Sequence, residues 1–296
     1  MTAAVGAVVH FGLSWNTGFF GLDPDQLIAV ARRAEELGFE SIYFPEHIAL
    51  YPDAALSGMP LPPDAAIADP LECLSFVAAA TERLLLGTAV LLLPYHDPVV
   101  LAKRLATIDS LSRGRLRLLT IGVGALPGEA AAVGVDYSSR GRRADEAIEV
   151  LRVLWAGDRD GVSHHGEFFD FDRICSFPKP YGSEPLPIHV GGSSIAAARR
   201  AGRSGAGYFP SGRVAPQQRA EQWQEARTAA ATAGHDPDRL ELTRWGSLDL
   251  SRDEVAAREA EGVARLVINL GSPDLAGQLA ELTEFADRHG LAAGAV

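Results

Sequence analysis

Residues 83–124, RLLLGTAVLLLPYHDPVVLAKRLATIDSLSRGRLRLLTIGVG, decide the fold. An apolar run of strand length, RLLLGTAVLLL at 83–93, stops at Pro94. Pro98 opens a helix-periodic segment, PVVLAKRLATIDSLS, which Arg113 and Gly114 close. A second apolar run, LRLLTIGVG at 116–124, follows at once. Strand, helix and strand in this length make a unit whose two strands lie parallel, because the helix carries the chain back to the starting edge.

The same unit repeats outward in both directions. Toward the N-terminus, an apolar run at 5–13 precedes Asp23-Pro24, a cap for the helix DQLIAVARRAEELG that Gly38 ends. Ser41–Phe44 is a second strand, and a proline-rich loop leads to Asp69, whose carboxylate can cap PLECLSFVAAAT with Pro70 at its first position. Toward the C-terminus, a helix is expected at about 140–155 and a strand at PIHVGG, 187–192. Helix SIAAARRAGRSG, strand AGYFP, helix 216–233, strand 240–250, helix 252–261, strand 265–270 and helix 273–289 complete the series. Residues 157–186 break the rhythm, and GVSHHGEFFDFDRICSFPKPYG within them alternates like a hairpin. Eight strand–helix pairs in order predict one α/β domain over 1–296, a closed (β/α)8 TIM barrel with an insertion before strand five. An open doubly wound sheet would need a phosphate-binding turn after its first strand, and GLSWNTGFFG has none.

Composition narrows the partners. There are 27 basic and 38 acidic residues, a net charge of −11, which repels nucleic-acid phosphates and anionic lipid. Cys73 and Cys175 are the only cysteines and belong to no metal-binding spacing, so neither a disulfide framework nor a metal site is expected. With no basic leader and no apolar run near the roughly 18 residues of a membrane span, the chain reads as a soluble cytoplasmic protein. Lys103 and Lys179 are the only lysines, and the arginine- and alanine-rich remainder suggests a GC-rich genome.

Barrel enzymes carry their reacting groups at the C-terminal ends of the strands. Those positions are Ser14, Trp15 and Asn16; Glu46 and His47; Thr88, Ala89 and Val90; Gly122 and Gly124; and Gly191, Gly192, Ser193 and Ser194. His47 leaves strand two beside a carboxylate and suits proton transfer near neutral pH. Glu46 has two readings of equal weight, orienting His47 or pairing with an arginine. VGGSS at the mouth of a helix suits an anion, since glycines admit it to the backbone and serine hydroxyls add donors. Ordinary capping would explain the same residues. Trp15, Phe19, Phe20 and Tyr51 lie on loops near the expected mouth, where each either lines a substrate pocket or packs.

Three motifs fail on spacing. GVGALPG follows the fourth strand and is spaced GxGxxxG, unlike a dinucleotide fingerprint. GGSSI lacks the closing glycine of a nucleophile elbow. His164 and His165 are adjacent, so on a strand they face opposite ways, and both are expected to be exposed.

LGFESIYFPEH, RLLLGTAVLLLPYHDPVVLAKRLATIDSLSRGRLRL, GVG, RGRRADEAIEVLRVLWAG, PIHVGGSS and AGRSGAGYFP occur in an order that resembles the luciferase-like superfamily, and within it the branch of coenzyme F420-dependent oxidoreductases. The resemblance covers nearly the whole chain. It implies a flavin or deazaflavin lying across the barrel mouth, with Glu46 and His47 near the reacting ring carbon. It also implies a non-proline cis peptide at Ala89–Val90 supporting the ring, with Thr88, Gly122 and Gly124 beside the cofactor. Gly191, Gly192, Ser193 and Ser194 would hold the phosphate, and a homodimer is implied. The chain departs from the pattern at Ala125-Leu126-Pro127-Gly128, where many members carry an aromatic or acidic run. The expected activity is hydride transfer between F420 and a small organic substrate, with His47 moving the proton and Glu46 tuning it. An FMN-dependent monooxygenase on the same barrel is the alternative, and a non-catalytic barrel holding a flavin-like ligand is a third reading.

Overall fold

In the computed structural model, which describes residues 9–56, 58–182, 185–211 and 214–292, eight parallel strands close into a barrel. They are β1 (His10–Ser14), β2 (Ser41–Phe44), β3 (Leu85–Leu92), β4 (Leu118–Gly122), β5 (Ile188–Gly191), β6 (Gly207–Phe209), β7 (Glu241–Gly246) and β8 (Val263–Asn269). Each strand pairs with the next in sequence, and β1 pairs with both β2 and β8, so the barrel has no free edge. Outside lie α1 (Pro24–Leu37), α2 (Pro70–Ala78), α3 (Pro98–Leu111), α4 (Arg140–Ala156), α5 (Ile195–Ser204), α6 (Pro216–Thr232), α7 (Arg252–Ala260) and α8 (Leu275–His289).

Local chemistry explains the boundaries. Asp23, Asp69 and Asp97 each precede a helix-opening proline and accept hydrogen bonds from the first-turn N–H groups of α1, α2 and α3. α1 ends at Gly38, whose φ of 89° is the left-handed conformation that glycine adopts without a Cβ clash. The expected strands lose one or more residues at most of their ends, while Ser41–Phe44 keeps its bounds. Residues 5–8 of the expected first strand lie outside the described residues. Two short helices, Thr17–Phe20 and Pro127–Ala132, and a small hairpin pairing Ala55–Leu56 with Met59–Pro60 were not expected. Each is too short for a periodic signal.

Between α4 and β5 the insertion forms an antiparallel pair, Val162–His165 with Asp170–Ile174. The expectation that both its histidines are exposed fails for His164. Its ring turns inward to Glu146 at 3.2 Å, while His165 stays largely exposed between Asp170 and Asp172. Glu146 also accepts the N–H groups of Glu167, Phe168 and Phe169, so one α4 carboxylate anchors the hairpin turn. No helix among the described residues is long and apolar enough to cross a membrane.

Two layers of side chains fill the fold. Leu13, Ile42, Leu86 and Val190 pack outward from the strands against Val30, Leu74, Leu105 and Leu151 of the helices. A separate group, Tyr43, Leu118, Phe209 and Val267, packs with Trp245 inside the barrel. The Tyr43 ring meets Phe209 edge-on at 5.9 Å, and Phe209 meets Trp245 at 4.9 Å. Gly12 and Gly87 make room for Tyr43: a Cβ on Gly87 would stand 2.7 Å from two of its ring carbons. Toward the N-terminal ends of the strands, Arg265 pairs with buried Glu40 and with Glu241, and buried His189 shares this polar cluster.

Overpacking a filled barrel costs about 1–3 kcal/mol, and Gly87→Ala is expected to lower the unfolding free energy by that amount in denaturant titrations. His189 yields a pH prediction. Burial, assisted by the Arg265 guanidinium and opposed by Glu241, pushes its imidazole down to about 4 from 6.5. Between those values the unfolded chain binds a proton that the folded chain refuses. The stabilisation is therefore complete above 6.5 and is lost as the pH falls toward 4. Wild type is expected to lose roughly 3 kcal/mol more than His189→Asn across that window, measured by denaturant midpoints at a series of pH values.

Candidate functional site

The C-terminal ends of the strands surround a cavity of about 560 Å³. Ser14 and Asn16 come to it from β1, Pro45 from β2, Ala89 from β3, Trp245 from β7 and Asn269 from β8. Phe19 and Phe20, placed by the short helix that Asn16 caps, form one wall. Trp245 joins the aromatic column inside the barrel to this cavity. Trp15 does not line it. Its indole is 1% exposed and packs 4.8 Å from the Phe20 ring, so it supports the wall from behind. Tyr51 is also absent from the lining; its ring lies where a Cβ on Gly128 would stand, 2.5 Å away.

At the exit of β2 the two expected catalytic side chains have separate partners. His47 Nδ1 lies 3.2 Å from Oε2 of Glu129, a fully buried carboxylate on the helix Pro127–Ala132. The other oxygen, Oε1, accepts the Ile48 N–H at 2.6 Å and the Ala49 N–H at 3.4 Å. Among the described residues Glu46 neither orients His47 nor meets an arginine, contrary to both readings offered for it. It accepts the Leu92 N–H at 2.5 Å and lies 2.9 Å from His96 Nε2. Successive side chains on extended backbone point to opposite sides, so Glu46 reaches β3 while His47 reaches the loop after β4. A carboxylate only accepts hydrogen bonds. Where the His47 Nδ1–H donates to this carboxylate, Nε2 has no hydrogen-bond partner among the described residues.

Sequence reasoning missed Glu129 and His96. Glu129 stands directly after the departure at 125–128, and His96 sits in the PYHDP stretch after β3. Neither position carries a local signal of a partner 82 or 50 residues away.

Thr88 is fully buried; its hydroxyl donates to the Thr120 carbonyl at 2.8 Å and accepts the Thr120 N–H at 3.0 Å. It clamps β3 to β4 and does not reach the mouth. The next peptide bond, Ala89–Val90, is cis, as the resemblance implied. The β3–β4 register skips Val90, with Ala89 opposite Thr120 and Leu91 opposite Ile121, so Val90 bulges out of the ladder. Its methyls occupy the space that a Cβ on Gly122 or Gly191 would take, 2.5 and 2.4 Å away. These two glycines thus make room for Val90. Gly124, at φ 78°, lies under the Tyr95 hydroxyl, which is buried with no hydrogen-bond partner among the described residues. Gly192, Ser193 and Ser194 are exposed at the start of α5. Ser194 caps the helix, and Ser193 accepts the Ser211 N–H. Both hydroxyls are therefore partly committed within the protein.

Ala89 of the cavity lining is followed by Val90, which lies against Gly122 and Gly191, and Gly191 leads in sequence to the exposed turn Gly192-Ser193-Ser194. These residues fit an elongated cofactor with a flat ring and a phosphate: a mostly apolar cavity suits the ring, and a glycine-serine turn at a helix N-terminus suits the phosphate. No group of three or more histidine, cysteine or acidic side chains that could hold a metal occurs among the described residues.

The fold is thus a (β/α)8 barrel that carries a carboxylate-held imidazole at the exit of β2, and comparison with known proteins gives its family. Residues 8–293 match the family model described as luciferase-like monooxygenase, and the chain belongs to that family. It is 32% identical over 214 residues to an F420-dependent glucose-6-phosphate dehydrogenase of Nakamurella multipartita, covering 70% of this chain and 58% of that protein. The chain spans less than two thirds of the length of the curated relatives it matches. Among solved structures, an F420-dependent secondary alcohol dehydrogenase in complex with an F420-acetone adduct superposes with a TM-score of 0.76 at 19% identity, over 95% of this chain and 99% of that one. The oxygenating constituent of 3,6-diketocamphane monooxygenase from Pseudomonas putida, in complex with FMN, does so with a TM-score of 0.64 at 21% identity, over 86% and 72%. These two share the fold.

Removing the Glu129 carboxylate takes the acceptor from the Ile48 N–H and from the His47 imidazole, and at about 0.5–1.5 kcal/mol for each hydrogen bond the loss is about 1–3 kcal/mol. Glu129→Ala is expected to lose that much stability in denaturant titration, and Glu129→Gln, which keeps an acceptor oxygen, distinctly less.

Proposed function

We propose that this chain is an oxidoreductase that moves hydride between coenzyme F420 and a small organic substrate. The observation that carries the reading is His47, fixed by Glu129 at the barrel mouth with Nε2 left for proton transfer. Ala89 and Trp245 would flank the ring, and Gly192, Ser193 and Ser194 would receive the phosphate. A reduced deazaflavin supplies hydride when bound, and the protein supplies orientation and electrostatics. His47 takes or delivers the accompanying proton at Nε2, and Glu129 keeps the ring in the tautomer that leaves this atom available. Glu46 holds the β2 exit against β3 through Leu92 and His96. It acts on the site by position rather than by tuning His47.

The relative that is 32% identical and named F420-dependent favours the deazaflavin. A second reading, an FMN-dependent monooxygenase, is supported by the fold shared with the FMN-bound monooxygenase component. Equilibrium binding of F420 and FMN, with oxygen consumption followed during turnover, separates the two. F420 is expected to bind more tightly and turnover to consume no oxygen. Oxygen uptake with reduced FMN would favour the second reading. His47→Asn is expected to lower turnover about 10²-fold with cofactor affinity preserved, and unchanged turnover would remove His47 from the chemistry.

A further inference from the structure

We propose that the mouth cavity takes an uncharged substrate with an apolar body and a single hydroxyl or carbonyl group, and rejects phosphorylated and carboxylate compounds. The proposal rests on the reading that this cavity holds a substrate beside a hydride carrier, and it names the class of that substrate.

Among the described residues the cavity lining contains no ionisable side chain. Phe19, Phe20 and Trp245 make its walls aromatic, and its polar groups are neutral: the hydroxyl of Ser14 and the carboxamides of Asn16 and Asn269. An anion drawn into such a site would lose its hydration, and among the described residues no lining cation would replace it. A hydroxyl or carbonyl group would find both donors and acceptors.

The cations described near the barrel are engaged elsewhere. Both lysines of the chain bond backbone carbonyls, Lys103 that of Phe177 at 2.9 Å and Lys179 that of Leu154 at 2.6 Å. Arg265, on the same strand as Asn269, is committed to Glu40 and Glu241 toward the other end of the barrel. Arg244 neighbours Trp245 in β7 but meets Glu261 on the helix side. On α4, Arg140 donates to the Gly124 and Tyr137 carbonyls and Arg143 to that of Pro94. The cavity, about 560 Å³, falls within the roughly 300–1,000 Å³ of small-molecule sites; with the ring against Ala89 and Trp245 the substrate would share the remainder of this uncharged lining, where shape and hydrophobic contact select it.

The test uses a matched pair of probes, 1-phenylethanol and 1-phenylethyl phosphate, titrated calorimetrically into the purified chain both unloaded and loaded with whichever of F420 or FMN it binds. The alcohol is expected to bind at least about tenfold more tightly than its phosphate. Asn269→Lys, which adds a cation at the exposed end of β8, is expected to strengthen phosphate binding by about tenfold while leaving a folded barrel by circular dichroism. Equal or tighter binding of the phosphate to wild type overturns the proposal, and so does binding of neither probe. Failure of both F420 and FMN to bind would overturn the hydride-transfer reading instead, and the preference of the unloaded chain would still decide this one.

Discussion

Tyr43 occupies space that its two neighbouring strands leave open, because Gly12 on β1 and Gly87 on β3 carry no side chain where its ring lies. A barrel of eight strands has an interior just wide enough for side chains to fill. Here the filling is an aromatic column, with Tyr43 against Phe209 and Phe209 against Trp245. The column ends at the cavity, with Trp245 in its lining. The interior is thereby closed to ligands, and binding is confined to the rim above it. Cavity and core thus share one stack of rings.

Around that rim, buried carboxylates do the work of covalent ties. Glu46 joins the exit of β2 to the end of β3 through the Leu92 N–H and His96. Glu129 joins the same exit to the loop after β4 through His47 and the Ile48 N–H. Each carboxylate is buried, and each accepts from both a backbone N–H and an imidazole, which is how buried charge is tolerated. Three loops that would otherwise move separately are held together, and the imidazole proposed to move protons is held by two strands rather than one.

A second constraint runs through Val90. Its bulge out of the β3–β4 ladder puts a branched side chain over Gly122 and Gly191, where any Cβ would collide with it. Gly191, which reads in sequence as an opening for a phosphate, and Gly122, which reads as a neighbour of the cofactor, are seats for a hydrophobic side chain. The phosphate site proposed for this segment then rests on the exposed Gly192, Ser193 and Ser194. In the proposed reading, the neutral cavity takes the apolar groups and this glycine-serine turn the anionic one.

Much of this was legible in the chain because it depends on neighbours in sequence. Asp23-Pro24 and Asp69-Pro70 announce helices through side-chain oxygens that reach N–H groups two and three residues on, and apolar runs announce strands through their own length. Repeated eight times, those local signals determined the (β/α)8 barrel and therefore the end of it that bears the site, including His47. Only the tertiary structure decided that Glu129 and not Glu46 holds His47, that Thr88 and Trp15 support the mouth from behind, and that Val90 fills Gly122 and Gly191. The partners concerned lie 82 and 50 residues apart in the two carboxylate–imidazole pairs. Which of them meet is settled by the strand register and by the alternation of side chains across an extended backbone, and these become contacts only when the barrel closes.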